Sequence, residues 1–357
     1  MNLYETFNTE MDVDAVARVI RRGTYWVKGP EITEFENLVA EFVGSRFAVC
    51  FNSGTSGLYA MCKTLSGGRD EVIIPSFTFM ATANSVVSSG LRPVFADIEE
   101  DTLSLSLESV KQAVNKRTKA VMVMHYLGNV ARDINQIRQF CMDEGLVLLE
   151  DAAHAFGAYD TGGQYAGTFG SAGMFSFSFN KIMSTGEGGC VVTDDEQVMK
   201  QLRLVNDQGR DTDGSVVYPG MNLRMSSLTA ALGTSQMAHV EELIERRRMI
   251  ADLYEQELKD TPVKTPKSFG RCVFQRYTIQ TEYQNDLIMF LKKHGIPCSK
   301  GYTPVHQYPV YQNGVSLPVT EKTASELVTL PFHPLLSEND VLRVCGKIKD
   351  FFQMVET

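Results

Sequence analysis

The sequence predicts an α/β protein whose mostly parallel sheet is covered by helices on both faces. Short apolar runs rich in β-branched residues recur from Phe47 onward, and most are followed by a stretch that suits a helix. This alternation is typical of parallel sheets, because each parallel pair of strands needs a crossover connection. At 357 residues the chain is long enough for one large and one small domain.

The large domain is predicted from short strands and the helices between them. The strands are residues 47–51, 72–75, 93–97, 120–125, 146–151, 174–177 and 190–193. The helices are residues 56–65, 80–88, 107–114 and 134–144. We assign residues 1–235 to this domain, including an N-terminal segment 1–29.

The remaining residues, 236–357, are assigned to a linking helix and a small α+β domain. A long helical pattern of apolar and charged residues spans 226–259 and connects the two domains. Beyond it the pattern changes. It predicts a strand at 272–281, a helix at 285–294, a loop rich in proline and tyrosine at 302–311 and a last helix at 338–352.

Charge and cysteine content indicate a cytoplasmic protein that acts on small molecules. With 34 Lys and Arg against 43 Asp and Glu, the net charge of -9 would repel nucleic acid or an anionic membrane. The seven cysteines form no CxxC pair and the six histidines show no metal-ligand spacing, so we expect neither disulfides nor a metal. The first residues lack a secretion-signal pattern, and no apolar run approaches the ~18 residues of a membrane span.

Three strand ends carry residues that point to chemistry, because ligands of open α/β sheets bind beyond the carboxyl ends of the strands. The first strand is followed by the small residues Asn52-Ser53-Gly54-Thr55-Ser56-Gly57, which open a helix. Free backbone N–H groups at such a helix start can bind a phosphate. The pattern is neither GxGxxG nor a P-loop, and an ordinary capped helix explains it equally well.

The strand 146–151 ends in Glu150-Asp151-Ala152-Ala153-His154, where two carboxylates follow four aliphatic residues. Strand alternation directs the two carboxylates to opposite faces of the sheet. A carboxylate at the mouth of a buried strand is expected to meet a cation, and the two alanines leave room for a flat ligand. A structural ion pair or a helix cap would give the same pattern.

The strongest signal is residues 175–189, where one lysine follows an aromatic strand and precedes a glycine-rich turn. Burial and neighbouring cations would lower the pKa of the Lys181 amine from ~10.4 and make it nucleophilic. A solvated surface lysine is the alternative, which the apolar neighbours disfavour.

Ordered motifs across most of the chain make the sequence resemble the DegT/DnrJ/EryC1/StrS sugar aminotransferases, fold-type I enzymes that depend on pyridoxal 5'-phosphate (PLP). The segments that carry the resemblance are Gly29-Pro30, Phe35-Glu36, Ser53-Gly54-Thr55, residues 75–79, Glu150-Asp151-Ala152-Ala153, residues 175–189, Asn222-Leu223-Arg224-Met225 and residues 302–306. The resemblance implies a large domain with a mostly parallel mixed sheet flanked by helices, a small α+β C-terminal domain, and a homodimer with shared active sites.

The resemblance also assigns roles to individual residues. Lys181 would form the Schiff base with PLP, Asp151 would pair with the pyridine nitrogen, and His154 would lie near the 3-hydroxyl. The further cofactor contacts implied are Phe79 on the ring, with core packing as its alternative, Gly54, Thr55 and Ser176 at the phosphate, and Asn222 at the phosphate of the neighbouring subunit. Aromatic and hydrogen-bonding side chains suited to a sugar are Tyr25, Trp26, Arg224, Tyr302 and His306.

The implied activity is transfer of an amino group from L-glutamate or L-glutamine to a keto sugar, most often a nucleotide-linked keto-deoxyhexose, in amino-sugar or surface polysaccharide synthesis. Lys181 favours transamination over the dehydratase branch of the family, which has His at this position. Residues 125–128 and 178–180 depart from common family patterns, which leaves the sugar open. A free keto sugar, an eight- or nine-carbon keto acid, a dehydration and a non-catalytic scaffold remain alternatives, although a scaffold needs neither buried charge.

Overall fold

A seven-stranded sheet forms the centre of the protein. The structure, a computed structural model, describes residues 1–312 and 314–355. The strands are β1 (Phe47–Phe51), β2 (Glu71–Pro75), β3 (Arg92–Ala96), β4 (Thr118–Met124), β5 (Val147–Asp151), β6 (Ala172–Ser176) and β7 (Gly189–Thr193). They lie in the order β1-β7-β6-β5-β4-β2-β3, and β7 runs in the opposite direction to the other six strands. The predicted α/β class with a mostly parallel mixed sheet is therefore confirmed.

Helices cover both faces of this sheet. Those that contact its strands are α2 (Pro30–Val43), α3 (Gly54–Thr64), α4 (Ala81–Ser88), α5 (Leu107–Ala113), α6 (Ile134–Asp143) and α7 (Glu196–Asn206). Three further helices, α1 (Glu10–Arg22), α8 (Ser227–Met237) and α9 (Val240–Leu258), pack mainly on other helices. Pro30 begins α2 and Gly44, with φ of 71°, ends it, as expected for residues that start and stop helices. None of the described helices combines the length and the hydrophobicity that a membrane span requires.

The central residues of the strands are mostly apolar because both faces of the sheet are buried. Along β2, Val72 and Ile74 pack into one apolar core and Ile73 into the other. Successive side chains of a strand point to opposite faces, so a sheet covered on both sides favours apolar residues at consecutive positions. This is why the apolar runs in the sequence located the strands.

The C-terminal residues form a second, smaller layer. Its three short antiparallel strands are β8 (Thr278–Gln280), β9 (Ser299–Lys300) and β10 (Leu327–Thr329), in the order β8-β10-β9. Its helices are α10 (Gln284–Lys293), α11 (Pro318–Glu326) and α12 (Glu338–Val355). Apolar side chains of these elements form a separate core with α9.

Two predicted elements differ in the structure. The helical pattern 226–259 forms two helices, because the N–H groups of Ala238 and His239 bond three residues back and the His239 ring packs against Phe7, 5.3 Å between centroids. The strand predicted at 272–281 is regular only in β8. Phe274 has a φ of 45°, which no strand accommodates.

Candidate active site

A cavity of about 370 Å³ opens at the carboxyl edge of the seven-stranded sheet. Met124, Asp151 and Ser176, the last residues of β4, β5 and β6, are among the residues that line it. This is the edge where open parallel sheets bind their ligands. The residues singled out in the sequence that also line the cavity are Gly54, Thr55, Phe79, Asp151, His154, Ser176, Lys181 and Tyr302.

The start of α3 provides backbone donors to this cavity. The Ser53 hydroxyl caps the helix by accepting the N–H of Ser56 at 3.1 Å. The N–H groups of Gly54 and Thr55 lie in the first turn, and neither has an acceptor among the described residues. A Cβ on Gly54 would lie 3.1 Å from the Cβ of Ser176, so glycine is what lets the helix start approach β6. The arrangement suits an anion such as a phosphate.

Asp151 is a buried carboxylate, 3% exposed, at the end of β5. Its Oδ2 accepts the Thr82 hydroxyl at 2.8 Å and its Oδ1 accepts the Ala153 N–H at 3.2 Å. Burial raises the pKa of this carboxyl, while the two hydrogen bonds and the charge of Lys181 oppose the rise. In the described part of the chain no cation pairs with Asp151, so the site suits a cationic group of a ligand.

The His154 ring is 1% exposed and forms one side-chain hydrogen bond with the residues that the structure describes. Its Nε2 lies 3.2 Å from the Tyr302 hydroxyl oxygen, and its Nδ1 has no partner among the described residues. Burial, followed by the charges of Lys181 and Arg276, holds the pKa of His154 well below its usual range. The ring is therefore neutral at pH 7 and keeps one nitrogen available for a ligand.

Two side chains from distant positions in the sequence hold the loop that contains Lys181. Gln275 Nε2 donates to the carbonyl oxygen of Asn180 at 2.8 Å. Arg247 Nη2 donates to the carbonyl oxygen of Lys181 itself at 3.4 Å. The loop backbone is thus held on one side of the cavity, which keeps the position of the amine well defined.

Burial and nearby charges also alter the Lys181 amine. Burial, aided by the Arg276 guanidinium and opposed by the carboxylates of Asp151 and Glu187, lowers its pKa to about 7. About half of the amine is then neutral at pH 7, whereas an ordinary lysine is almost fully protonated. A neutral amine is the nucleophilic form.

Phe79 is exposed at the mouth of the cavity and does not belong to the core. The side chain is 47% exposed and its ring centroid lies 5.7 Å from that of Tyr302. Core packing therefore does not account for this residue. Its free face suits stacking on a flat ligand.

The predicted site residues that lie outside the cavity of this chain are Tyr25, Trp26, Asn222, Arg224 and His306. The first three are exposed on the surface. Arg224 pairs with Asp207 at a second cavity of about 290 Å³. The structure does not bring His306 into the pocket: the ring is 6% exposed, with Nδ1 2.6 Å from Ser76 Oγ.

Sequence reasoning missed three residues of the cavity and its surroundings: Thr82, Glu187 and Arg276. Glu187 lies in the glycine-rich turn after Lys181, and Arg276 interrupts an apolar stretch. An isolated charge among apolar residues was a signal that could have identified both. Thr82 left no such signal, because a threonine in the first turn of a helix is common.

Known proteins are similar to this chain over nearly its whole length. The family model for the DegT/DnrJ/EryC1/StrS aminotransferase family matches residues 7–349. GDP-perosamine synthase of Vibrio cholerae is 34% identical, over 92% of this chain and 94% of that protein. The dTDP-4-dehydro-2,3,6-trideoxy-D-glucose 4-aminotransferase of Saccharopolyspora spinosa is 32% identical, over 98% and 96%. The solved structure of Helicobacter pylori PseC, an aminotransferase involved in the biosynthesis of pseudoaminic acid, has a TM-score of 0.94 at 28% identity and covers 99% of each chain.

Proposed function

The chain belongs to the DegT/DnrJ/EryC1/StrS aminotransferase family and is a sugar aminotransferase. We propose that it uses PLP to transfer an amino group from L-glutamate or L-glutamine to a nucleotide-linked keto-deoxyhexose. One observation carries the proposal: a lysine with a pKa lowered to about 7 shares a cavity with a buried aspartate that has no cationic partner among the described residues. The names of both relatives contain a nucleotide-linked sugar, which supports that class of acceptor.

The residues of the cavity fit PLP. The free N–H groups of Gly54 and Thr55, with the Ser176 side chain beside them, suit its phosphate. Asp151 suits its protonated ring nitrogen, and the unpartnered Nδ1 of His154 leaves a buried atom that a ligand can satisfy. When bound, PLP supplies an electron sink for the carbon that loses a proton.

Lys181 would hold the cofactor covalently at rest and then move the proton during transfer. Once the amino donor is bound, the Lys181 amine would be available to hold and move a proton. With a pKa of about 7, the free amine can accept a proton from the reacting carbon and return one near neutral pH. Such a general acid and base contributes roughly 10² to 10⁴ in rate.

Asp151 would keep the ring nitrogen of the cofactor protonated. The Thr82 hydroxyl and the Ala153 N–H orient the two carboxylate oxygens. The burial of Asp151 strengthens its attraction to a positive charge, because little water screens it. A scaffold would gain nothing from this group, so retention of Asp151 with Lys181 favours an enzyme.

The proposal includes a homodimer with shared sites. Tyr25, Trp26 and Asn222 are exposed on the single chain, and so are the apolar side chains Val27 and Met221 next to them. Exposed aromatic and apolar groups of this kind are typical of protein–protein interfaces. We propose that they cover the neighbouring subunit's cavity, where Asn222 contacts the phosphate.

Borohydride reduction and an acceptor panel test the proposal. The purified protein is incubated with PLP, reduced, digested and analysed by mass spectrometry, and the adduct is expected on Lys181. The holoenzyme is then assayed with L-glutamate or L-glutamine against GDP-, dTDP- and UDP-linked 3-keto and 4-keto hexoses, free keto sugars and nine-carbon keto acids. Amination of a nucleotide-linked ketone is expected. An adduct on another lysine, or amination of free acceptors alone, would contradict the proposal.

A further inference from the structure

Arg276 is a second cation in the cavity, beside Lys181, and it has no acidic partner among the residues that the structure describes. Asp151 and Glu187 line the same cavity, yet neither forms an ion pair with its guanidinium. Within residues 1–312 and 314–355 its one hydrogen bond runs from Nη2 to the Tyr302 hydroxyl oxygen, 3.2 Å away. Its Nε is buried and bonds to nothing described. The guanidinium thus keeps donors free at the wall of the cavity.

Two tyrosine rings hold the guanidinium in place. Its Cζ lies 5.3 Å from the ring centroid of Tyr4 and 4.9 Å from that of Tyr302. Tyr4 is fixed in turn, because the neighbouring Leu3 carbonyl accepts the N–H of Phe332 at 3.1 Å. Contacts with ring faces orient a guanidinium and leave the N–H groups in its plane free for an acceptor.

This unpaired charge acts on the chemistry of the cavity. It lowers the pKa of both Lys181 and His154. The two ring contacts stabilise the charge in part, but a neutral side chain between the tyrosines would avoid the desolvation of the guanidinium altogether. An anion bound against Arg276 would offset that desolvation.

We propose that Arg276 binds the carboxylate of the amino donor, an inference that rests on the proposed function. Tyr302 bonds to both Arg276 and His154, at 3.2 Å each, so the guanidinium lies two hydrogen bonds from the residue expected at the cofactor's hydroxyl. A group bound there is close to the reacting carbon. In an amino-acid donor the carboxylate is attached to that carbon, whereas the diphosphate of a nucleotide sugar is several bonds from the ketone. The fork of an arginine fits a carboxylate through two parallel hydrogen bonds.

The test compares two variants of the holoenzyme. Arg276→Met removes the charge, and Arg276→Lys keeps the charge without the fork. Calorimetry gives the dissociation constant of 2-oxoglutarate, the keto acid derived from L-glutamate, and stopped-flow absorbance of the cofactor gives KM and kcat of the glutamate half-reaction. Arg276→Met is expected to weaken 2-oxoglutarate binding and to raise KM by roughly 10- to 100-fold, the range of charge-assisted hydrogen bonds. Arg276→Lys is expected to give a dissociation constant and a KM between those of the wild type and those of Arg276→Met.

Arg271→Met is the matched control. Arg271 also lies over a tyrosine, 5.6 Å from the Tyr159 centroid, but it pairs with Glu241 outside the cavity. This variant is expected to leave both donor constants unchanged. Calorimetry with GDP and dTDP separates a carboxylate site from a diphosphate site, and Arg276→Met is expected to leave nucleotide binding unchanged.

Each outcome decides the inference. Unchanged 2-oxoglutarate binding in Arg276→Met, or a loss confined to the nucleotides, overturns it. If Arg276→Met yields no folded holoenzyme, Arg276→Lys decides: a selective loss of 2-oxoglutarate supports the inference, and an equal effect on all ligands contradicts it. A wild-type holoenzyme that transfers no amino group from either donor contradicts the proposed function, while the calorimetry still tests Arg276.

Discussion

The ring of His125 and the carboxylate of Glu150 form a fully buried pair, with Nε2 2.7 Å from Oε2. The other ring nitrogen, Nδ1, accepts the Ala131 N–H at 3.0 Å, so the proton of the ring lies on Nε2 and faces Glu150. Three backbone N–H groups of residues 167–170 also donate to Glu150. Through these hydrogen bonds Glu150 connects His125 and residues 167–170 to β5, one residue before Asp151.

Glu150→Ala is expected to lower the free energy of unfolding by at least about 3 kcal/mol, because it leaves a buried imidazole N–H, two buried backbone N–H groups and one half-buried backbone N–H group unpaired. Urea denaturation of the purified protein measures the change. Glu196→Ala is the control, since Glu196 pairs with Lys200 on the surface and its loss should hardly move the midpoint. An equal effect of the two substitutions would show that the segments around Glu150 find other acceptors.

Asp151→Asn is expected to retain the cofactor on Lys181 and to slow the glutamate half-reaction. The amide has the size of the carboxylate but lacks the charge that keeps a ring nitrogen protonated. Each pKa unit corresponds to about 1.36 kcal/mol, so a loss of a few units slows the reaction by roughly 10² to 10⁴. Single-turnover kinetics with L-glutamate measure the rate, and Lys181→Ala is the control that loses both the borohydride adduct and turnover. A wild-type rate in Asp151→Asn would refute the role of Asp151.

The sequence located the central strands because burial on both faces leaves a local signature, a continuous apolar run. It did not locate the break between α8 and α9, where the N–H groups of Ala238 and His239 bond three residues back and the His239 ring contacts Phe7, which is distant in the sequence. The irregular backbone around Phe274 is likewise set from afar: the N–H groups of Val273 and Gln275 bond to the carbonyls of residues 127–128. Contacts between remote segments produce no local sequence pattern from which the backbone conformation could be predicted.

The site residues also divide into those with a local signal in the sequence and those placed by contacts between remote segments. Asp151 is the last residue of β5, and Gly54 and Lys181 lie three and five residues beyond the ends of β1 and β6. Their positions at the ends of predicted strands therefore place them at one edge of the sheet. Arg276 reaches the cavity from a segment 95 positions after Lys181 in the sequence, where an apolar stretch suggested only a strand. His306 matched a motif, but its burial against Ser76 depends on a contact 230 residues apart.

The lowered pKa of Lys181 predicts its reactivity in the cofactor-free protein. The amine is protonated below and neutral above a pH of about 7. Acetylation of Lys181 by trace acetic anhydride should therefore level off above about pH 8, while ordinary lysines keep gaining reactivity toward pH ~10. Mass spectrometry of the digest compares the acetylation of Lys181 with that of the exposed lysines at each pH. Arg276→Met should shift the Lys181 curve to higher pH, because the charge of Arg276 lowers this pKa. If the acetylation curve of Lys181 coincided with those of the exposed lysines, the lowered pKa of Lys181 would be contradicted.

Mixed dimers test whether Asn222 serves the neighbouring subunit's site. Asn222 is exposed and lies outside the cavity that holds Lys181 in the same chain. Homodimers of Lys181→Ala and of Asn222→Ala should each lose most activity. Co-expression with two different tags isolates the mixed dimer, which contains one intact site if each site combines Lys181 of one chain with Asn222 of the other. That dimer should regain about half of the wild-type activity, since one of two equivalent sites is complete. If Asn222 served its own chain, both sites would carry a defect and mixing would restore nothing, which would remove the basis for a shared site.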